Sequence, residues 1–260
     1  MAEDAGPLRV IEESPEYWRI VFDYPPFNIV DATLYQALQG LLAHMDASPS
    51  LRVVVFESAN PEFFLAHFDL TGKTGNITTA VGPSGLPILT DTFVRITRSP
   101  VASIAKIRGC VRGVSSEFVL ACDMRFASRE NTSLGQPEVG VGVHPGGGGT
   151  ERLPPLVGRG RALYMLLSGA TMSAAEAKEL GLVEAVYNSD SFDAGVSELT
   201  KTIAAAPAPA LAGIKAAVNA VRPHHHPELA DATISAFAKT WADPAHWDAV
   251  AKMERQRRNR

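Results

Sequence analysis

Two glutamates stand next to glycine-rich turns, and this is where the chain can do carboxylate chemistry. Gly109 and Gly113 bracket a loop that leads into Val114-Ser115-Ser116-Glu117-Phe118-Val119-Leu120-Ala121-Cys122-Asp123. A helix beginning near Val114 has first-turn amides without intrahelical acceptors, so they can donate to an anionic oxygen. That is half of an oxyanion hole, with Glu117 one turn further along. The same pattern also fits a first-turn glutamate that does no more than complement the helix macrodipole. Glu138 lies in the segment Leu134-Gly135-Gln136-Pro137-Glu138, which runs on to His144-Pro145 and four consecutive glycines, 146–149. The glycine run predicts a tight backbone corner before a helix. It is not a phosphate loop of the Gly-Lys-Ser/Thr kind, because Gly149 is followed by Thr150 and Glu151. Taken alone, Glu138 fits an ordinary surface carboxylate as well as a functional one.

Other reactive side chains carry less. Cys110 and Cys122 form no CxxC pair and have no base beside them, and they read as small core residues. Two cysteines cannot make a disulfide framework and suit a reducing compartment. The run His224-His225-His226 lies between Pro223 and Pro227, where adjacent side chains fan apart, so it reads as a solvated connection and no metal site is expected. The closing Arg255-Gln256-Arg257-Arg258-Asn259-Arg260 reads as a solvated helix end.

Positioning such residues requires a scaffold, and its elements are visible in outline. Leu8 to Glu13 and Tyr17 to Asp23 predict two strands joined at Ser14-Pro15-Glu16. Asp31 is placed to cap a helix carrying Leu34, Leu38, Leu41, Leu42 and Met45 on one face. Arg52 to Glu57 predicts a buried strand and Phe64 to Thr74 a loop. Leu86 to Thr97 predicts a helix, Val101 to Ile107 a strand, Ser115 to Cys122 a helix and Met124 to Ala127 a strand. This alternation indicates an α/β architecture with crossovers. From Ser191 the chain turns alanine-rich and helix-prone, which divides it into a core, 1–195, and a helical region, 196–260. Such a region suits oligomerisation, and it equally suits folding back on the core.

With 260 residues, 46% of them hydrophobic, the chain can bury a large core. Charged residues make up 20% and the net charge is −4, too weak a field of either sign to draw in nucleic acid or an anionic membrane. A small-molecule partner is expected. The opening MAEDAGPLRV has no basic or apolar leader pattern. Apolar stretches are interrupted, as by Lys106, Arg108 and Arg112, short of the ~20 residues a membrane helix needs. The expected location is the cytoplasm.

In their order and wording these segments resemble the crotonase (enoyl-CoA hydratase/isomerase) family over roughly residues 8 to 190. The blocks that carry the resemblance are Ala66-His67-Phe68-Asp69-Leu70, Gly109 to Asp123, Gly135-Gln136-Pro137-Glu138 and Pro145 to Leu153. The resemblance implies a spiral of ββα turns, a helical C-terminal region that supports homotrimers or hexamers, and acyl-CoA thioester substrates with no separate cofactor. It also implies backbone oxyanion donors at Phe68 and Val114, a catalytic pair Glu117 and Glu138, and substrate contacts from Ala66, His67, Phe68, Asp69, Gly113 and Val114.

The expected activity is hydration of a 2-enoyl-CoA. Double-bond isomerisation, or acyl-CoA binding without turnover, would fit the same segments. His67, Phe68 and Val114 depart from the family's glycine-rich pattern. A positive φ at residue 67 would leave His67 strained, and Phe68 with Val114 would narrow an acyl pocket, against long chains or in favour of a flat acyl group. His144 is a candidate third acid/base group or a loop histidine without a role.

Overall fold

A computed structural model describes residues 6–71, 75–221 and 227–258. The chain opens with the antiparallel pair β1 (Leu8–Ser14) and β2 (Tyr17–Phe22), which meets at Ser14↔Tyr17 as its turn residues imply. Helix α1 (Ala32–Asp46) follows, with Asp31 Oδ1 accepting from the Leu34 amide at 3.0 Å as its N-cap. The chain then repeats one pattern: a long strand, a short strand, a helix. The first turn is β3 (Val53–Ser58), β4 (Phe63–Leu65) and α2 (Ile88–Arg98). Next come β5 (Ala102–Ile107), β6 (Cys110–Arg112) and α3 (Val114–Ala121). The third is β7 (Met124–Ser128), β8 (Ser133–Gly135), a 3-10 helix (Glu138–Val141) and α4 (Gly149–Val157). These are the expected ββα turns.

The long strands form a six-stranded sheet in the order β1-β2-β3-β5-β7-β10, where β10 is Ala185–Tyr187. Beyond the opening hairpin its pairings are parallel. The short strands form a second sheet, β4-β6-β8-β9, with β9 (Thr171–Ser173) antiparallel to β8. Helices α5 (Arg159–Ser168) and α6 (Ala174–Glu179) flank β9. Two segments expected as loops thus contain strands: Phe64 and Leu65 belong to β4, and the residues between Gly109 and Gly113 are β6. Three-residue strands are too short to show a period-2 pattern, and they exist because they pair with each other.

Val53-Val54-Val55-Phe56 is buried on both faces, which explains an unbroken apolar run. Val54 and Phe56 face the main core, while Val53 and Val55 pack with Ile104, Phe126, Phe192 and Val196. The last two residues come from α7 (Phe192–Ala205), so residue 195, where the composition shifts, lies inside a helix that covers the large sheet. Helix α8 (Ala208–Val221) is tied to the core by Lys215. Its Nζ donates to Ile96 O, Val101 O and Asp123 Oδ2 at 3.2, 2.9 and 2.7 Å. Helices α9 (Pro227–Trp241) and α10 (Pro244–Arg258) complete the described chain. Among the described residues no single helix is long and apolar enough to cross a membrane. His224 to His226 lie outside the described residues.

At the centre of the main core, Phe118 packs against Phe22, Phe56, Phe64 and Phe93 with ring centroids 5.4, 5.0, 6.2 and 6.0 Å away. This contact with four elements anchors α3, so the residue before it, Glu117, has a fixed starting point. Phe118→Ala is expected to cost about 3–5 kcal/mol through the cavity it leaves, to be measured by urea denaturation.

Candidate active site

The short sheet gathers the site. Strands β4, β6 and β8 run parallel in the registers Leu65↔Val111, Val111↔Leu134 and Arg112↔Gly135, so their C-terminal ends lie side by side. From those ends leave the 66–69 turn, the 113–117 segment and the 136–138 segment. In parallel α/β sheets this edge is where ligands bind, because the loops there converge while the strands hold them rigidly. Gly113 makes the turn from β6 into α3 at φ 59°, a conformation that favours glycine. A Cβ at this glycine would lie 3.3 Å from Glu138 Oε1, which places the second carboxylate directly over the start of α3.

Glu117 is 2% exposed. Its Oε1 accepts from two backbone amides, Gly147 at 2.8 Å and Gly149 at 2.9 Å. Both positions have to be glycine for the backbone to come this close. A Cβ on Gly147 would meet Phe93 Cε2 at 2.4 Å and Glu117 Oε2 at 2.8 Å, and one on Gly149 would meet Gln136 Nε2 at 2.5 Å. The corner expected from the glycine run is therefore a cradle for one carboxylate.

Glu138 opens the 3-10 helix with its carboxylate turned inward. Its Oε2 is inaccessible to water and has no hydrogen-bond partner among the described residues, and Oε1 is 3.4 Å from Gln136 Nε2. Burial pushes both carboxyls above the ordinary carboxylate range. For Glu117 the two glycine amides and the Arg152 charge work against burial, whereas for Glu138 the charge of Glu117 adds to it. The pair therefore titrates as a unit that retains a proton beyond the pH at which an exposed glutamate loses it.

The 66–69 turn is joined to Val30, whose amide donates to His67 O at 3.1 Å and whose carbonyl accepts from Asp69 N at 2.9 Å. In this parallel bridge the Phe68 N–H takes neither bond and points to the other side. Ala66 N donates to Asn28 O at 2.9 Å, and the Asp69 carboxylate turns the chain by accepting from Thr71 N and Oγ1 at 2.8 and 3.1 Å. His67 does not have a positive φ; Asn28 is the one non-glycine residue that does among those described. The histidine is thus unstrained, and its Nδ1 donates to Phe68 O at 2.7 Å. Val114, 6% exposed, is the first residue of α3, and its N–H precedes the first intrahelical acceptor.

Several residues at the site were given no role by the sequence pattern. Gln136 is fully buried between Glu138 and Gly149. Arg152 is buried under the glycine corner, its Nη1 donating to Gly147 O at 2.8 Å. The C-terminal helices reach two of the three loops, the 66–69 turn and the loop that follows β8. The Trp241 ring is edge-on to Phe68 at 5.6 Å, Thr240 Oγ1 accepts from His144 N at 2.9 Å, and Phe237 fills the space a side chain at Gly146 would need. The buried His246 donates from Nδ1 to Val141 O at 2.6 Å, at the end of the Glu138 helix. The i, i+4 spacing of Phe237 and Trp241 was the available clue, but it marks a helix face without naming what that face covers.

His144 donates from Nδ1 to Pro145 O at 2.7 Å, and burial lowers its pKa, so it braces its own loop as a neutral ring. Cys122 is buried and its thiol is held well above its ordinary pKa by that burial, which removes it as a nucleophile. Among the described residues no group of three or more His, Cys, Asp or Glu side chains could hold a metal ion.

The raised Glu138 pKa has a stability consequence. The folded state holds this proton more tightly than the unfolded chain, so stability falls as pH rises from the ordinary carboxylate range toward the raised value. Glu138→Gln is expected to melt higher than the wild type at pH 8, by about 2–4 °C for each kcal/mol relieved, with a smaller gain at pH 5, as thermal melts at the two pH values would show.

Comparison with known proteins bears on the family and the fold. The sequence profile of the enoyl-CoA hydratase/isomerase family matches residues 16–255. The Bacillus subtilis protein YngF, provisionally named an enoyl-CoA hydratase/isomerase, is 35% identical over 159 residues, which are 61% of this chain and 60% of YngF. A Streptomyces avermitilis crystal structure, provisionally named an enoyl-CoA hydratase, superposes with TM-score 0.91 at 34% identity, covering 98% of this chain and 92% of the other. The enoyl-CoA hydratase of Bacillus anthracis gives TM-score 0.75 at 26% identity, with 96% of each chain covered. A profile match over nearly the whole length, on a spiral of ββα turns shared with these structures, shows that the chain belongs to the enoyl-CoA hydratase/isomerase family.

Proposed function

We propose that this protein hydrates a 2-enoyl-CoA to a 3-hydroxyacyl-CoA through an enolate held by the Phe68 and Val114 amides. The observation that supports this reading above all is the unequal environment of two adjoining carboxylates. Glu117 has two amide donors suited to its ionised form, whereas Glu138 has a buried, unpartnered Oε2 suited to holding a proton. An ionised base and a protonated acid at one place are what addition of water across a double bond requires.

In this scheme Glu117 takes a proton from water as its oxygen bonds to C3. The C2=C3 electrons shift toward the thioester carbonyl, whose oxygen becomes the enolate oxygen and accepts from the two amides. Collapse of the enolate re-forms the carbonyl while C2 takes the Glu138 proton. Transfer of a proton from Glu117 back to Glu138 restores the pair, and the net change is addition of H and OH. Coenzyme A enters as part of the substrate, and the scheme uses no other cofactor. Phe68 and Val114 supply backbone donors, so their side chains do not interfere with this role.

We further propose a homotrimer or a hexamer, supported by the large apolar side chains left exposed on two helices. Tyr164 and Leu167 on α5 are 67% and 69% exposed, and Ile214, Val218 and Val221 on α8 are 64%, 61% and 80% exposed.

The test mixes purified protein with a short 2-enoyl-CoA and follows loss of the conjugated-enone absorbance. Glu117→Gln and Glu138→Gln are each expected to lower kcat by about 10²–10⁴-fold with acyl-CoA binding nearly intact. Normal turnover with weakened binding would refute the pair, and a 3-enoyl-CoA that gains the absorbance while the 2-enoyl-CoA is inert would assign isomerisation instead. Since the reaction needs one carboxyl ionised and the other protonated, kcat/KM is expected to follow a bell-shaped pH profile with both limbs above the ordinary carboxylate range.

A further inference from the structure

Among the described residues two arginines are buried, and their surroundings differ. Arg125 is 4% exposed and fully engaged: Nε donates to Leu182 O at 2.8 Å, Nη1 to Cys122 O at 2.8 Å and Nη2 to Glu184 Oε1 at 2.6 Å. Arg152, 1% exposed, makes one hydrogen bond, from Nη1 to Gly147 O, and its Nε and Nη2 have no partner among the described residues. A desolvated guanidinium with two nitrogens unsatisfied is costly, and an apolar side chain of similar volume would fill the space at lower cost.

The position of that guanidinium supplies a reason for its presence. A Cβ on Gly148, which turns at φ 99°, would lie 2.0 Å from Nη1, so the guanidinium is pressed against the middle of the glycine corner. The amides on either side of Gly148, those of Gly147 and Gly149, are the two that hold Glu117. The charged and titratable groups facing Glu117 are Glu138 from the 3-10 helix, Glu151 and Arg152 from α4, and the Tyr35 phenol from α1, kept neutral by burial. Arg152 is the cation of this group, set against two other carboxyls.

We propose that Arg152 is a positioning residue for the reaction: it braces the corner that grips Glu117 and keeps Glu117 as the ionised base, leaving the proton on Glu138. This rests on the reading of the two glutamates as an acid/base pair.

Two variants separate its charge from its shape. Arg152→Gln drops the charge and keeps a donor toward the Gly147 carbonyl, while Arg152→Lys keeps the charge. Arg152→Gln is expected to move the acid limb of the kcat/KM profile up by about one pH unit or more and to lower kcat with KM changed little, whereas Arg152→Lys keeps the wild-type limb. A second measurement needs no substrate. Loss of the cation raises the proton affinity of Glu117, so the melting temperature of Arg152→Gln should fall more between pH 5 and pH 8 than that of the wild type. The extra fall should vanish in Arg152→Gln combined with Glu117→Gln. An unchanged melting slope in Arg152→Gln, or an acid limb fixed in both variants, overturns the proposal. Because the melting arm is independent of turnover, it still reads Arg152 if hydration proves not to be the reaction.

Discussion

A carboxylate taken out of water has to be either neutralised or held, and at Glu117 this protein holds it. The means are two backbone amides donating to one oxygen, presented by a corner of four glycines that can approach because no Cβ intervenes. This contact links the two halves of the site. Glu117 belongs to α3, anchored through Phe118 in the aromatic core, while the amides belong to the segment entering α4. Once α3 and α4 are joined in this way, the loop between β8 and α4, including the Glu138 helix, must cross the mouth of the short sheet.

The sheets and the C-terminal helices divide the remaining work. Parallel pairing of β4, β6 and β8 aligns the ends of three strands, and each end releases one loop to the same edge. The described C-terminal helices fasten two of these loops, the 66–69 turn and the loop that follows β8. Trp241 lies against the Phe68 turn, Thr240 holds the His144 amide, and His246 holds the carbonyl end of the Glu138 helix. Helix α7 has a different task, since it covers the far face of the large sheet.

Unsatisfied polar atoms collect where these parts meet. Glu138 Oε2, Gln136 Oε1 and Arg152 Nε and Nη2 are all buried without partners among the described residues. Two ionic groups away from the site are fully engaged: Glu57 accepts from Lys106 at 2.7 Å and from Arg19, and Arg125 satisfies all three of its nitrogens. The contrast is thermodynamic. A structural ion pair is relaxed at rest, whereas the site proposed for hydration keeps donors and acceptors in reserve and accepts lower stability.

Long elements were legible in the sequence because each carries its own pattern. The hairpin follows from turn residues, α1 from Asp31 and its apolar face, and β3 from an unbroken run that only a doubly covered strand tolerates. The glutamates were legible as candidates because glycines flank them and ordered blocks surround them. The pairing itself was not, since a glutamate in a first helical turn and a glutamate after proline are commonplace until folding brings them together. Three-residue strands, the guanidinium under the glycine corner and the helical clamp on the loops likewise come from long-range contacts. Local sequence sets which backbone conformations are cheap. Only the tertiary structure decided which groups lose their water together, and the raised proton affinity of Glu117 and Glu138 follows from that shared desolvation.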